Sequence, residues 1–305
     1  MNQKNENNAK ISIGLPIYNG ERFLRAKLDS LLTQTYKNFE LIVSNNGSTD
    51  KTHEICNEYA IKDNRIRYFS HDKNNDAFWN YNFILHKANC DYFMWTSVDD
   101  ILLPTFIEKN LNNFEKNKTC VASISKIETY ESGDENKLLN PTDLKYYTSV
   151  KKMRNKIRPR SVFSIEGNFD KKSRLYLKKS SCYVFYSIFK TDVIKKSFFY
   201  NPFLGDDWAI FLNVLKYGDL IVTDEILMYQ YEHGLSGRGM ISVVKLYYHG
   251  INIFFPWYKL TNWCIKNLGW KFFLKNVDYF FQLNLEGFIS LTVDFTHSLL
   301  HHKKS

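Results

Sequence analysis

Short apolar runs alternate with helical patterns across roughly the first hundred residues of the chain. Ile11–Ile17, Phe39–Val43, Ile66–Phe69 and Tyr92–Thr96 read as four strands. Between them, Glu21–Gln34 carries Phe23, Leu24, Leu28, Leu31 and Leu32 at helical spacing. Further helical patterns run from an N-cap among Ser48, Thr49 and Asp50 to about Ala60, and from Ala77 to Lys87. This rhythm predicts an α/β fold with a mostly parallel sheet wound by helices. The fourth run is apolar on both faces, which suits a central strand covered on both sides. It ends at adjacent acids, Asp99 and Asp100, and Pro104 is expected to open the next helix, where its missing N–H costs nothing. Acids at the carboxyl end of a buried parallel strand stand where open α/β sheets bind ligands. Two neighbouring carboxylates repel unless a cation joins them, which points to a divalent metal. An N-cap pair for the following helix is the other reading.

The chain of 305 residues, 44% apolar, is long enough for one large domain or a domain with an extension. Its first ten residues are rich in Asn and Lys, so no secretory signal is expected, and no uncharged apolar run is long enough to span a bilayer. Cys56, Cys90, Cys120, Cys182 and Cys264 are scattered and never form a CxxC pair. That argues against a disulfide framework or a zinc site and for a reducing, cytoplasmic setting. The net charge of +9 is local: residues 121–200 carry 17 Lys and Arg against 8 Asp and Glu, while the flanking parts are balanced. A localised excess reads as a contact surface. A basic nucleic-acid-binding protein is the rival from another class, but no nucleic-acid motif is present and the aromatics are not concentrated in the basic segment.

Residues 131–180 break the rhythm as a basic insert. Cys182–Phe189 then reads as a strand, Asp206–Tyr217 as a helix, and Ile221–Val222 and Ile226–Tyr229 as short strands. Gly234, Gly237 and Gly239 mark a loop, and the aromatic-rich stretch from Ile241 predicts helices.

SIGLPIYNG, FELIVSNNGSTD, WNYN, YFMWTSVDDILLP and GDDWAIFLNVLKYGD, in this order, resemble family 2 glycosyltransferases of the GT-A (Rossmann-like) fold over residues 11 to about 236. The resemblance implies a disordered stretch 1–10, a GT-A domain 11–236 and a C-terminal helical extension 237–305. Within the domain it implies a nucleotide-sugar half, 11–103, and an acceptor and catalytic half, 104–236. It further implies an inverting, metal-dependent hexosyltransferase that uses a nucleotide-sugar donor, UDP-linked by preference, with Mn2+ or Mg2+. The expected acceptor is a hydroxyl of a glycan or lipid-linked glycan, as in lipopolysaccharide or capsule polysaccharide biosynthesis.

The family's DxD motif falls on Ser97, Val98 and Asp99, so Asp99 is the expected metal ligand with Asp100 supporting and His233 as a further candidate. Ser97 stands where the family has its first acid, and Asn45 where it commonly has the Asp that accepts from uracil. These departures leave open a nucleotide-sugar-binding protein with decayed catalysis. An amide at Asn45 can both accept from and donate to a uracil edge. Pro16, Tyr18 and Asn19 resemble residues lining the base pocket, and Asn80 is favoured over Asn82 as a donor-facing residue. Arg238 is the candidate cation for the phosphates. Asp207 lies eleven residues before Gly218, the family's spacing for its catalytic acid, so it is the expected general base with Asp206 as second choice. Trp208 is the candidate acceptor platform, a core Trp being the alternative. Between Lys145 and Lys196, 15 basic residues face 3 acidic ones, which suits a phosphate-bearing acceptor or the anionic inner face of a membrane. Trp257, Trp263 and Trp270 are expected at the same interface.

Overall fold

The computed structural model describes residues 10–130, 162–179, 181–231 and 255–302, with Val244 and Tyr247. Strands β1 (Ile11–Ile17), β2 (Phe39–Asn45), β3 (Ile66–Ser70) and β4 (Tyr92–Trp95) form the parallel half of an eight-stranded sheet. Its order is β3-β2-β1-β4-β7-β6-β8-β5, completed by β5 (Ile101–Leu102), β6 (Cys120–Tyr130), β7 (Ile188–Lys190) and β8 (Asp219–Tyr231). The connecting helices are α1 (Glu21–Leu32), α2 (Thr52–Lys62) and α3 (Ala77–Lys87), and α4 (Phe106–Lys116) follows β5. The expected first half is therefore present. Phe93, Met94 and Trp95 of β4 are completely buried, as a strand covered on both faces requires.

Beyond β4 the structure corrects several expectations. Pro104 does not open α4; the helix starts at Phe106, after Thr105. Cys182–Tyr186 is a 3₁₀ helix, not a strand: the Ser181 hydroxyl accepts from the Tyr183 N–H, and β7 is only three residues long. The two short strands expected near Ile221 and Ile226 are one strand, β8, paired in parallel with β6 through register shifts at Ser125, Lys126 and Ile127. Part of the basic insert is helical: α5 (Phe169–Lys179) buries Lys172, Ser173, Tyr176 and Leu177 on one face. Buried Lys172 is neutralised by Asp219 at 3.1 Å and donates to the Gly218 carbonyl at 2.5 Å. After α6 (Thr191–Ser197), helix α7 (Asp206–Val214) begins at Gly205, whose φ of 96° lies in the left-handed region that glycine tolerates.

The C-terminal helices α8 (Tyr258–Leu268), α9 (Trp270–Lys275) and α10 (Val277–His302) follow. Leu260, Cys264, Phe272, Tyr279, Phe280 and Leu283 belong to the same core as the sheet. These helices therefore pack on the same core as the sheet, with α8 against α7.

Candidate active site

Because β1, β2 and β4 run in parallel, the loops after them meet at one end of the sheet. The first two loops are tied to each other. Asn19, at φ 50°, accepts from the Thr49 N–H at 2.8 Å and donates its own N–H to the Ser48 hydroxyl at 2.9 Å. Asp50 accepts from Glu21 N–H at 3.0 Å and Thr52 N–H at 3.1 Å, so one carboxylate joins the N-termini of α1 and α2. Tyr18 is exposed and Pro16 half-buried beside these loops.

The asparagines expected to read the donor are turned inward. Asn45 is buried; its Oδ1 accepts from the Ser48 N–H at 3.0 Å and its Nδ2 donates to the Tyr68 hydroxyl at 3.1 Å. Asn80 is buried as well. Its Oδ1 accepts from the Ser44 hydroxyl at 2.5 Å and its Nδ2 donates to the Ser44 carbonyl at 3.1 Å. Both anchor the end of β2.

The two acids after β4 differ. Asp99 is half-buried, its Oδ1 accepts from the Ser97 hydroxyl, and its carbonyl accepts from the Tyr130 hydroxyl. Val98 packs on Gly20. Asp100 is 1% exposed, and its Oδ2 has no hydrogen-bond partner. Burial, and then the neighbouring Asp99 charge, push the Asp100 carboxyl up to about 7. Asp100 thus turns into the protein, which removes it as a supporting metal ligand and leaves Asp99 as the accessible acid. Among the described residues no group of three or more His, Cys, Asp or Glu side chains is placed to hold a metal. His233 and Arg238 lie outside the described residues. Asp99 fits a site of the magnesium kind, where one or two carboxylates share the ion with substrate phosphates.

The second acid pair starts α7. Asp206 is buried and accepts from Asp207 N–H at 2.7 Å and Phe203 N–H at 3.3 Å. Burial and the Asp207 charge nevertheless raise it, to about 8. Asp207 is half-buried; burial raises it to about 6, against the pull of backbone N–H groups at the helix start. The pair therefore titrates as a unit, in two steps near 6 and 8, and carries one proton near neutral pH. Trp208 is not an acceptor platform. It is buried against Tyr176, Trp257 and Tyr279, with ring centroids 5.4, 6.3 and 6.2 Å away.

Two tyrosines couple to these acids: Tyr81 and Tyr186 interact with each other, and the Asp99 and Asp100 charges act on both. Tyr81 feels the charges of Asp99, Asp100 and Asp206, and burial holds it up at about 12, so it stays a neutral donor. The Trp95 ring positions both: its Nε1 donates to the Tyr81 carbonyl at 3.1 Å, and it stacks on Phe185 at 4.7 Å. Sequence reasoning missed this pair, although Tyr81 sits inside WNYN between the two asparagines considered.

The sequence model of glycosyl transferase family 2 matches residues 12–198. The chain belongs to that family. An uncharacterised glycosyltransferase of Rickettsia typhi is 41% identical over 106 residues, 35% of this chain and 32% of that protein. Glycosyltransferase GlyA of Streptococcus pneumoniae is 39% identical over 99 residues, 32% of this chain and 14% of GlyA. The matches thus span a third or less of the length of these relatives. Among solved structures, residues 1–349 of S. aureus TarS in complex with UDP-GlcNAc superpose with a TM-score of 0.53 at 18% identity, over 73% of this chain and 58% of that one. The mannosyltransferase PcManGT from Pyrobaculum calidifontis, in complex with GDP-Man and Mn2+, gives 0.55 at 14% identity, over 95% and 75%. At such identities the likeness is one of fold, and the fold of this family 2 glycosyltransferase is GT-A.

Proposed function

We propose that the chain moves a sugar from a nucleotide-diphosphate donor, a UDP-sugar by preference, to a hydroxyl of a glycan or lipid-linked glycan, with inversion. The observation that carries this reading is that the charges of Asp99, Asp100 and Asp206 all act on one side chain, Tyr81. Leaving-group and acceptor chemistry need separate charges on either side of one reacting carbon, and on this reading Asp99 serves the first and Asp207 the second. Asp207 takes the acceptor proton as the hydroxyl oxygen bonds to the anomeric carbon, and the opposite carbon–oxygen bond breaks with its electron pair leaving on the diphosphate. A base of about 6 is ionised at neutral pH and still basic enough to accept that proton. Asp206 accepts from the Phe203 and Asp207 N–H groups and so holds the start of α7. Asp99 would hold Mn2+ or Mg2+, which when bound neutralises charge on the departing diphosphate.

A donor-binding protein with decayed catalysis is favoured by Ser97 in place of an acid. The test is a thermal-shift screen of nucleotide diphosphates and their sugars with and without Mn2+, followed by a search for released nucleotide. Stabilisation by UDP-sugars with Mn2+-dependent turnover is expected. Stabilisation without turnover selects the decayed binder, and no stabilisation by any nucleotide sinks both readings.

The acceptor proposal extends to an anionic membrane surface, at which the protein would sit peripherally on the cytoplasmic side. No helix among the described residues is long and apolar enough to cross a membrane. Exposed apolar side chains on α9 and α10, beside basic α5, support surface attachment.

A further inference from the structure

Beneath the acid loop lies a lysine that the reaction above does not use. Lys27, on the buried face of α1, is 0% exposed. Its Nζ donates to the Thr96 hydroxyl and, at 2.8 Å, to the Asp100 carbonyl, so both bonds land on the segment that carries Asp99. A lysine is seldom fully buried without a compensating charge. Burial brings the Lys27 ammonium down to about 8, and the charges that work against this are those of Asp100 and then Asp99. Asp100 in turn is buried with one oxygen unpartnered and the other drawn to the Tyr231 backbone at the end of β8. The Tyr130 hydroxyl, at the end of β6, fastens the same loop at the Asp99 carbonyl. The loop is thus pinned from below by a buried amine and from the side by two strand ends.

We propose that Lys27 is a positioning residue: a buried amine that, through the Thr96 hydroxyl and the Asp100 carbonyl, and in electrostatic balance with the Asp100 carboxyl, fixes the Ser97–Asp100 loop, so that Asp99 alone is presented to the donor. It touches no substrate and acts through Asp100 and Thr96. Where a second acid would otherwise call for the metal, the chain balances it with Lys27, and the remaining site has one carboxylate.

The consequence is a charge-specific coupling between positions 27 and 100. The test is a cycle of Lys27→Met, Asp100→Asn and the double variant, read by thermal unfolding and by Mn2+-dependent UDP affinity. Each single change leaves one of two coupled buried groups without its balance and should lower Tm by ~5–10 °C. Each should also weaken UDP binding by about tenfold or more, with the loss in donor KM rather than kcat. The double variant removes both groups and should recover most of the Tm loss and return UDP affinity to within about threefold of the parent. Additive losses in the double variant would overturn the proposal, because a lysine that only fills space gains nothing from neutralising Asp100. Thr96→Val, which removes an acceptor and leaves the charges alone, should give a smaller loss of the same kind and covers the case in which Lys27→Met does not fold. The affinity arm rests on the donor reading above. If the parent binds no nucleotide, that reading fails while the Tm cycle still decides whether Lys27 and Asp100 are coupled.

Discussion

At the residue scale, the two aspartates of α7 are separated by their surroundings. Asp207→Asn should leave the fold and donor affinity nearly unchanged and lower kcat by roughly a hundredfold or more, the usual worth of a general base, whereas Asp206→Asn should do less. Steady-state kinetics on both variants checks the ranking, and the reverse order would move the base by one residue. In the parent, kcat should fall as pH drops through about 6, where Asp207 takes up its proton. The stability effect of Asp206 follows from a folded pKa, about 8, raised above the ordinary carboxylate value. Its contribution is fully present in acid below about pH 4 and is lost as pH rises through about 8. Tm of Asp206→Asn should therefore depend less on pH between these limits than Tm of the parent. Asn45 was legible as a special position but not in its role: the motif located it, while only the Ser48 and Tyr68 contacts show that its amide faces inward. Asp fits the same place, since Oδ1 keeps the Ser48 N–H and the Tyr68 hydroxyl can turn to donate. Asn45→Asp should hold UDP affinity within about threefold or improve it. Calorimetric titration with UDP and GDP decides, and tighter GDP than UDP binding by the parent would sink the uracil reading.

At the element scale, β1 through β4 were readable because each strand is a short apolar run bounded by a polar turn and each helix shows its own period. The reading failed where tertiary partners override local pattern. Charges in α5 mask its buried face, and Lys172 can be buried only because Asp219 lies beside it. In β8, Thr223, Asp224 and Glu225 look like a turn, yet the strand runs through them, bulging opposite Ser125 and Lys126 of β6. Cys182–Tyr186 is apolar like a strand but lies in a single 3₁₀ stretch that delivers Tyr186 to the site. The loop after β2 gives an element-level prediction. Gly47 has φ 69°, and a Cβ there would stand 2.4 Å from the Lys73 backbone carbon. Gly47→Ala should cost about 2 kcal/mol or more, from the left-handed backbone and the displaced chain together. It should also raise the donor KM, because the Asn19 and Asn46 contacts share that loop. A Tm and KM equal to those of the parent would show that the loop has no part in donor binding.

At the scale of the whole molecule, the aromatic tail divides into a buried and an exposed part. Trp257 lies against Gly205 and Trp208, and Trp263 stacks on Phe199 at 5.5 Å, so both are half-buried against the core. Trp270 is 63% exposed, and Leu274, Val277, Phe281, Leu285 and Phe288 are exposed after it, with Phe281 at 72%. Val277, Phe281, Leu285 and Phe288 recur at helical spacing, which places them on one side of α10. Asp278, which follows Val277, is paired to Arg174 at 3.1 Å and Lys178 at 2.6 Å, which brings the basic helix α5 alongside the start of this apolar stripe. Lys171 and Lys179 of α5 and Lys271 of α9 are exposed nearby in sequence to these contacts. Apolar side chains that enter an interface next to cations are what an anionic bilayer rewards: about 1.5–3 kcal/mol for a fully buried Phe and about 1 kcal/mol for each Lys or Arg at the surface. The protein should therefore sediment with vesicles containing anionic lipid, stay in solution with neutral ones, and be released at high salt as the Debye length shrinks. Phe281→Ser with Phe288→Ser should weaken the binding that remains at low salt, and Lys178→Ser with Lys179→Ser should reduce its salt dependence. Equal recovery in the supernatant with both lipids would reject a membrane role for this face. If the phenylalanine changes instead halve the mass of the particle in analytical ultracentrifugation, the stripe is a contact between two copies of the chain.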